Sequence, residues 1–341
     1  MDFPYPCLMF LADVDRVSAK TALGVAYWRP AACVGQLRLP GGEVDLGLPD
    51  LSPSAAKAAG ARSLLIGVAN AGGFIPPHWE AVLIDALEAG LDLVSGLHTR
   101  LASLPRVRET AERLGRRLFE AREADPRFIV VGEGAKRDGR RLLTVGTDCA
   151  VGKMYAALAL TKELKARGVD ADFRATGQTG IFIAGSGAPI DAIVSDFVAG
   201  AAEALSPSAA PDHWDVIEGQ GSLFHPAYAG VSLGLLHGSQ PDALVLCHDA
   251  TRKAIDGLES FPTPSLAEAA ELNLRLARLT NPAARLVGIC VNTSRLSPEA
   301  ATAYLAQAAA QLAVPCCDPV RTGVSAIVDE LVKQVARRGA A

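Results

Sequence analysis

Short apolar segments alternate with amphipathic helical segments along nearly the whole chain, and this alternation limits the possible folds more than any other feature. CLMFLADV, SLLIGVA, LDLVSGL and RFIVVG have the length of strands, and stretches such as HWEAVLIDALEAG and RVRETAERLGRRLFEARE between them are helical in pattern. Strands that alternate with helices form parallel βαβ units, whose sheet is covered on both faces. We therefore predict an α/β protein with mostly parallel sheets.

The polar, glycine-rich stretch GEGAKRDGRR separates this first series from a second one. The second series contains the strand-like segments VDADFRA, WDVIEG, ALVLCHD and RLVGICVN. A length of 341 residues also favours two domains, at about 150 residues per domain. We predict one domain over residues 1–136 and another over residues 137–341.

The composition excludes several classes of protein. The chain has 33 Lys and Arg residues against 37 Asp and Glu residues, and a net charge of −4 disfavours binding to nucleic acid or anionic membranes. No apolar stretch approaches the roughly 18 residues of a membrane span, and MDFPYPCLMFLADVD lacks the basic start of a signal peptide. The seven cysteines form no CxxC pair, which disfavours a zinc site or disulfides. We expect a cytoplasmic homo-oligomer that acts on small molecules.

The strongest local signal is LLTVGTDCAVGKM, residues 142–154, in which an apolar strand leads into a glycine-rich turn and then a helix. Such a turn directs successive backbone N–H groups at one point, and the helix N-terminus adds positive potential there. Lys153 adds a full positive charge. We predict a phosphate-binding loop formed by Gly146, Thr147, Asp148, Cys149, Ala150, Val151, Gly152, Lys153 and Met154.

This loop departs from the usual nucleotide-binding pattern in two ways. Five residues instead of four separate Gly146 from Gly152, and Met154 stands where a Ser or Thr hydroxyl would hold Mg²⁺. A thioether is a poor ligand for that ion. We therefore expect a loop that holds phosphate and needs no metal, whereas transfer of a γ-phosphoryl group would lack its usual anchor.

Polar side chains follow the later strands, at the edge where open α/β sheets bind ligands. RATGQTGI offers an arginine and hydrogen-bonding groups for a carboxylate, ALVLCHD ends in a His-Asp pair, and DPVRTG holds a second arginine. The predicted substrate-binding residues are Arg174, Thr176, Gln178, Thr179, His248, Asp249 and Arg321. In the first domain, Gly72, Gly73 and His98 follow strands, but their spacing does not support NAD binding.

The loop spacing and the acidic end of WDVIEGQGSL resemble the dethiobiotin synthetase group of P-loop proteins. Taken together, GTDCAVGKM, RATGQTGI, EGQGSLFHPAY, GICVNTS and DPVRTG resemble the family known as domain of unknown function 1611, from about Gly24 to Gly323. The resemblance implies a Rossmann-like N-terminal domain, a P-loop NTPase-like C-terminal domain, acetyl-CoA as acyl donor and D-glutamate as acceptor. Tyr155 departs from the small hydroxyl residue usual in that family.

Coenzyme A carries a pyrophosphate and a 3′-phosphate, so the loop can hold it without cleaving a phosphate bond. The resemblance to dethiobiotin synthetase places Asn292 near the adenine. Acetylation of an amine also needs a base, for which Glu218 and His225 are both candidates, and an oxyanion-stabilising group, for which Lys153 is a candidate. Cys149 is interpreted as a small turn residue, with an acetyl-cysteine intermediate as the alternative.

Two other functions stay open at this point. An ATP-dependent ligase or kinase of the dethiobiotin synthetase kind would need ATP turnover, against which Met154 counts. A non-catalytic protein that binds a nucleotide or coenzyme A would bind without turnover, and the ionisable residues clustered at strand ends count against it.

Overall fold

The computed structural model describes residues 3–338, without the side chains at position 71 and at 334–338. The strands are β1 (Cys7–Ala12), β2 (Cys33–Arg38), β3 (Ser63–Ile66), β4 (Asp92–Ser95), β5 (Leu118–Glu120), β6 (Arg140–Gly146), β7 (Ala171–Arg174), β8 (Trp214–Ile217), β9 (Ala243–Asp249), β10 (Ala254–Ile255), β11 (Leu258–Pro262), β12 (Arg285–Asn292) and β13 (Cys316–Cys317). The helices are α1 (Lys20–Trp28), α2 (Pro53–Ala58), α3 (Glu80–Glu88), α4 (Pro105–Leu114), α5 (Lys153–Ala166), α6 (Gln178–Ala184), α7 (Val198–Leu205), α8 (Ala229–Ser239), α9 (Leu266–Ala277), α10 (Pro298–Leu312) and α11 (Ser325–Arg338).

The chain forms two compact units. The first consists of Met1–Ala124 together with Gln178–Ala192, and the second of Asp125–Gly177 together with Ile193–Ala341. The segment that contains α6 therefore belongs to the first unit, although it lies far along the sequence. Among residues 3–338, no helix combines the length and the apolar character that crossing a membrane requires.

The first unit contains a five-stranded parallel sheet with the strand order β2-β1-β3-β4-β5. Its β1 strand is apolar and wholly buried, as expected for a sheet covered on both faces. Phe10 packs against Trp79 at a centroid distance of 5.4 Å, and the indole N–H of Trp79 donates to Asp13 at 2.9 Å. The inserted α6 packs against α1, with a hydrogen bond of 2.9 Å between the hydroxyls of Thr21 and Thr179.

The second unit contains a six-stranded parallel sheet with the order β13-β12-β9-β6-β8-β7 and a small antiparallel hairpin, β10-β11. Because β6 lies between β8 and β9, the loop after Gly146 is flanked by the carboxyl ends of both neighbours. Ser297 caps α10 by accepting a hydrogen bond from the N–H of Ala300 at 3.2 Å, and Pro298 takes the first helical position. The predicted α/β fold with mostly parallel sheets is confirmed.

One part of the predicted element order is wrong. Gly115, with φ of 61°, ends α4 at Leu114, so the second half of RVRETAERLGRRLFEARE forms the short strand β5 instead of continuing the helix. RFIVVG, predicted as a strand, lies outside the sheets, and its Val131 is 68% exposed. The backbone of Val130 instead packs closely on Gly200: a Cβ atom added to Gly200 would lie 2.0 Å from the carbonyl oxygen of Val130. Strand β2 was not predicted.

Candidate active site

The glycine-rich loop connects β6 to α5 and encloses the Lys153 side chain. Gly152 adopts φ of 100°, a left-handed conformation that glycine tolerates, and α5 begins at the next residue. Lys153 is 7% exposed, and its ammonium donates to the carbonyl oxygen of Asp148 at 2.8 Å. Burial lowers the pKa of Lys153, and nearby thiols and carboxylates, including Cys149 and Glu218, only partly oppose this shift. An anion bound in the loop would favour the charged lysine.

The Asp148 carboxylate ties the loop to the segment that follows β9. One carboxylate oxygen accepts from the N–H of Cys149 at 2.6 Å, and the other accepts from the Arg252 guanidinium at 2.7 Å and from the N–H of Asp256 at 2.8 Å. Arg252 also lies 3.3 Å from the carboxylate of Asp256. The hairpin β10-β11 is thereby fixed beside the loop, and the charge of Arg252 is balanced by these two carboxylates.

The Glu218 side chain lies just beyond the end of β8 and is 4% exposed. Its carboxylate accepts from the backbone N–H groups of Thr176 at 2.9 Å and Gly177 at 3.1 Å. The Thr176 hydroxyl donates to the backbone carbonyl of Glu218 at 2.6 Å, and the Gln220 amide donates to that hydroxyl at 3.2 Å. These bonds fix the carboxylate of Glu218 at the carboxyl edge of the sheet, where the loop also lies. The negative charge of Glu218 raises the pKa of Lys153 and so partly opposes the effect of burial.

The His225 imidazole is 4% exposed and is oriented by its own turn. Its Nδ1 accepts a hydrogen bond from the backbone N–H of Ala227 at 3.1 Å, and its ring packs on Tyr228 at a centroid distance of 4.5 Å. A neutral imidazole whose Nδ1 accepts must carry its proton on Nε2. His225 is thus arranged as a hydrogen-bond donor through Nε2.

Asp148, Cys149 and His225 form a group whose potential ligand atoms lie within 4.8 Å of one another. The Asp148 carboxylate already accepts three hydrogen bonds, one of them from the Arg252 guanidinium at 2.7 Å. That ion pair balances the charge of Asp148.

His248 and Asp249 end β9 on the other side of the loop. The Thr147 hydroxyl hydrogen-bonds to Nδ1 of His248 at 2.9 Å, and the ring of His248 stacks on Tyr304 at 6.1 Å. Burial lowers the pKa of His248, which favours the neutral ring. The Asp249 carboxylate accepts from the backbone and hydroxyl of Thr251 and, at 3.4 Å, from the amide of Asn292.

A small cavity of about 10 Å³, with room for about one water molecule, lies beside the first residues of the loop. Its wall combines the apolar side chains of Leu143 and Leu235 with polar groups such as Ser222, whose hydroxyl donates to the carbonyl oxygen of Gly146 at 3.0 Å.

Other predicted binding residues have partners away from the loop. Arg174 donates to the buried carboxylate of Asp215 at 2.5 Å. Arg321 is exposed and donates to the backbone carbonyl of Leu296 at 3.1 Å.

Gln178 and Thr179 belong to the first unit. There the side chain of Gln178 packs closely on Gly96: a Cβ atom added to Gly96 would lie 2.1 Å from the side-chain amide oxygen of Gln178. His98, which follows β4 in the chain, packs closely on Gly73: a Cβ atom added to Gly73 would lie 2.6 Å from the imidazole ring of His98.

Sequence reasoning missed the roles of Asp256 and Tyr304. Asp256 reaches the loop through a backbone N–H, which any residue could supply, and Tyr304 is contributed by α10 from a distant part of the chain. Neither residue belongs to a sequence motif. Arg252 could have been selected from the sequence as a candidate site residue, because it lies three residues after the end of β9.

The loop between β6 and α5, set in a parallel sheet, defines a P-loop protein that carries a second α/β unit. The chain belongs to the DUF1611 family. Residues 129–328 match the P-loop domain described as domain of unknown function (DUF1611_C), and residues 38–124 match the Rossmann-like domain described as DUF1611_N. The predicted family and both predicted domain types are confirmed.

Relatives and a solved structure resemble the chain over nearly its full length. It is 50% identical to a D-glutamate N-acetyltransferase of Tritonibacter scottomollicae over 96% of this chain and 98% of that protein. It is 47% identical to a D-glutamate N-acetyltransferase of a Pseudoalteromonas species over 97% of this chain and 100% of that protein. A crystal structure of a DUF1611 family protein from Anabaena variabilis is 33% identical, with a TM-score of 0.87 over 96% of this chain and 99% of that chain.

Proposed function

We propose that the protein is an N-acetyltransferase that moves the acetyl group of acetyl-CoA to the amine of D-glutamate. The observation that carries this proposal is the similarity at 50% and 47% identity, over nearly whole chains, to two proteins named D-glutamate N-acetyltransferase. The P-loop supports it because it combines an anion-binding geometry with methionine at the position that usually anchors Mg²⁺.

The coenzyme A phosphates would lie in the loop from Gly146 to Met154. The backbone N–H groups there and the start of α5 favour an anion, and Lys153 adds a positive charge. In this proposal the adenine lies toward Asn292, at the carboxyl end of β12. No metal ion takes part, because the phosphates are held and not cleaved.

The acetyl transfer is proposed to be a direct attack. Glu218 takes a proton from the ammonium group of the acceptor, and the resulting amine attacks the thioester carbon. The C–N bond forms and the carbonyl oxygen becomes an oxyanion. The carbonyl then re-forms, the C–S bond breaks, and the departing coenzyme A thiolate takes the second proton that the nitrogen loses, while Glu218 returns the first proton to solvent. Glu218 suits the first step because its carboxylate is buried and fixed by two backbone N–H groups.

His225 suits the other half of the reaction. With Nδ1 occupied by the N–H of Ala227, the neutral ring offers the Nε2 proton. We propose that this N–H stabilises the oxyanion, so the base is Glu218. Direct attack also leaves Cys149 as a turn residue whose N–H is fixed by Asp148.

His248, Asp249 and Arg321 remain our proposed contacts to the acceptor. Thr176 would act through Glu218, to which it donates both its N–H and its hydroxyl. We also propose that the protein works in the cytoplasm as a homo-oligomer, without nucleic acid or a membrane as partner.

The test is to incubate the purified protein with acetyl-CoA and D-glutamate and to identify the product by mass spectrometry and NMR. We expect N-acetyl-D-glutamate, and a much lower yield when L-glutamate replaces the D-isomer. Glu218→Gln keeps the shape of the side chain and removes the base, so it should lower kcat by about 100-fold or more. Absence of an acetylated amine with the wild-type protein would refute the proposal.

The roles of the two candidate bases can be separated by pH. If Glu218 is the base, His225→Gln, whose side-chain amide still donates a hydrogen bond, should lower kcat but keep the acidic limb of the pH profile. Loss of that limb in His225→Gln, with its retention in Glu218→Gln, would assign the base to His225 instead.

A further inference from the structure

Two cysteines of the first unit face each other on neighbouring strands. Cys7 on β1 is the register partner of Cys33 on β2, the strand at the edge of the sheet. Cys7 is 0% exposed, and Cys33 is partly exposed. Neighbouring strands lie about 4.8 Å apart, which falls within the Cα separation of a disulfide, and the two thiols are close enough to hydrogen-bond. The structure holds both as thiols.

A fixed positive charge lies beside this pair. The Arg29 guanidinium lies over the ring of Tyr5 at 4.4 Å and donates to the backbone carbonyls of Phe182 and Ile183 at 3.3 Å. These contacts hold Arg29 near both sulfurs, where it favours a thiolate.

The two sulfurs differ in how easily they ionise. The hydrogen bond from Cys7 lowers the pKa of Cys33, burial opposes this, and Arg29 lowers it further. The same hydrogen bond, together with burial, raises the pKa of Cys7 well above its ordinary value. The accessible cysteine is therefore the more nucleophilic one, and its buried neighbour stays protonated.

We propose that Cys33 and Cys7 form an oxidation site in which a hydroperoxide attacks Cys33 and Cys7 then closes a disulfide. The thiolate of Cys33 attacks the peroxide, an S–O bond forms, the O–O bond breaks, and the alcohol or water leaves with a solvent proton. The thiol of Cys7 then attacks the sulfenic acid, the S–S bond forms, and water leaves with the thiol proton. The peroxide gains two electrons and the two cysteines lose them.

The first experiment treats the full-length protein with a small excess of hydrogen peroxide and maps its peptides without reduction. Trypsin would place Cys7 in residues 1–16 and Cys33 in residues 21–38, because the bond between Arg29 and Pro30 resists cleavage. We expect these two peptides to become joined, with a loss of two hydrogen atoms, and to separate again on reduction.

Three variants control this result. Cys33→Ser should abolish the joined peptide, and Cys7→Ser should leave a sulfenic acid on Cys33 that a cyclic diketone reagent captures. Cys316→Ser, which removes a partly exposed thiol of the other unit, should leave the joined peptide unchanged. These readouts do not depend on acetyl transfer, so their failure would leave the proposed function untouched.

The second experiment compares alkylation rates in the wild-type protein, which avoids any effect of substitution on folding. Burial raises the pKa of Cys316 to about 12, whereas the pKa of Cys33 is lowered from its ordinary value. Cys33 therefore has the larger thiolate fraction at neutral pH, although the lower intrinsic nucleophilicity of its thiolate offsets part of that advantage. We expect iodoacetamide to modify Cys33 at least about tenfold faster than Cys316. Equal rates, or peroxide that produces no peptide joined through Cys7 and Cys33, would overturn the proposal.

Discussion

Replacing Lys153 with methionine is expected to weaken binding of acetyl-CoA far more than binding of D-glutamate. Lys153 is 7% exposed inside the loop, with its ammonium 2.8 Å from the Asp148 carbonyl oxygen. A charge-assisted hydrogen bond to phosphate contributes roughly 1.5–3 kcal/mol, so the KM for acetyl-CoA should rise about 10- to 150-fold. Methionine retains much of the buried volume, which an alanine would leave as a cavity.

The assay measures initial rates while one substrate is varied and the other is saturating. Lys165→Met is the matched control, because Lys165 lies on the same helix α5 but is exposed and 3.2 Å from Asp172. A surface ion pair of this kind contributes little, so the control should keep both KM values within about twofold. Thermal unfolding of both variants checks that each one folds.

An unchanged KM for acetyl-CoA in Lys153→Met would refute the placement of coenzyme A phosphates in the loop. A rise in the KM for D-glutamate alone would assign the lysine to the acceptor instead. An equal rise for both substrates would contradict the separate sites that the account assumes.

Three further predictions concern the acceptor, the missing hydroxyl and pH. Arg321→Lys should weaken the preference for acidic over neutral acceptors, since lysine cannot form the bidentate contact. Unchanged specificity in Arg321→Lys would contradict a role for Arg321 in acceptor binding. Arg174→Lys should mainly lower the unfolding temperature, because it disturbs the ion pair with Asp215. Met154→Thr should not create substantial ATPase activity, which a phosphate-release assay would detect. Burial raises the pKa of Glu120 from 4.5 to about 7. The free energy of unfolding therefore falls as the pH rises through that interval, because the folded protein still holds a proton that the unfolded chain has released. Glu120→Gln should therefore gain stability relative to wild type by on the order of 1–3 kcal/mol between pH 5 and pH 7.5 in urea unfolding, and an equal difference at both pH values would argue against it.

Local patterns in the sequence predicted most of the architecture. Continuous apolar segments such as CLMFLADV and ALVLCHD became buried strands of parallel sheets, because such strands are covered on both faces. The P-loop was predictable because strand, glycine-rich turn and helix are adjacent in the chain. RFIVVG failed because apolar character alone does not supply a neighbouring strand, and here the backbone packs on α7 instead.

Contacts between distant residues were beyond reach of the sequence. The bond from Asp148 to the N–H of Asp256 spans more than a hundred residues and depends on where the hairpin lies in space. The direction of the His225 proton depends on the turn that brings the N–H of Ala227 to Nδ1. The pairing of Arg174 with Asp215 depends on the adjacency of β7 and β8 in the sheet, and this adjacency cannot be deduced from the order of the strands along the chain.

The most direct test of the central claim is release of coenzyme A thiol from acetyl-CoA, measured across a panel of D- and L-amino acids with EDTA present and ATP withheld. We expect release with D-glutamate, in equal amount to the N-acetylated product, and little release with neutral amino acids or with L-glutamate. Release that requires ATP and Mg²⁺, with ADP formed in step with product, would contradict the account and identify a ligase. Tight binding of coenzyme A without release for any acceptor would identify a non-catalytic binding protein.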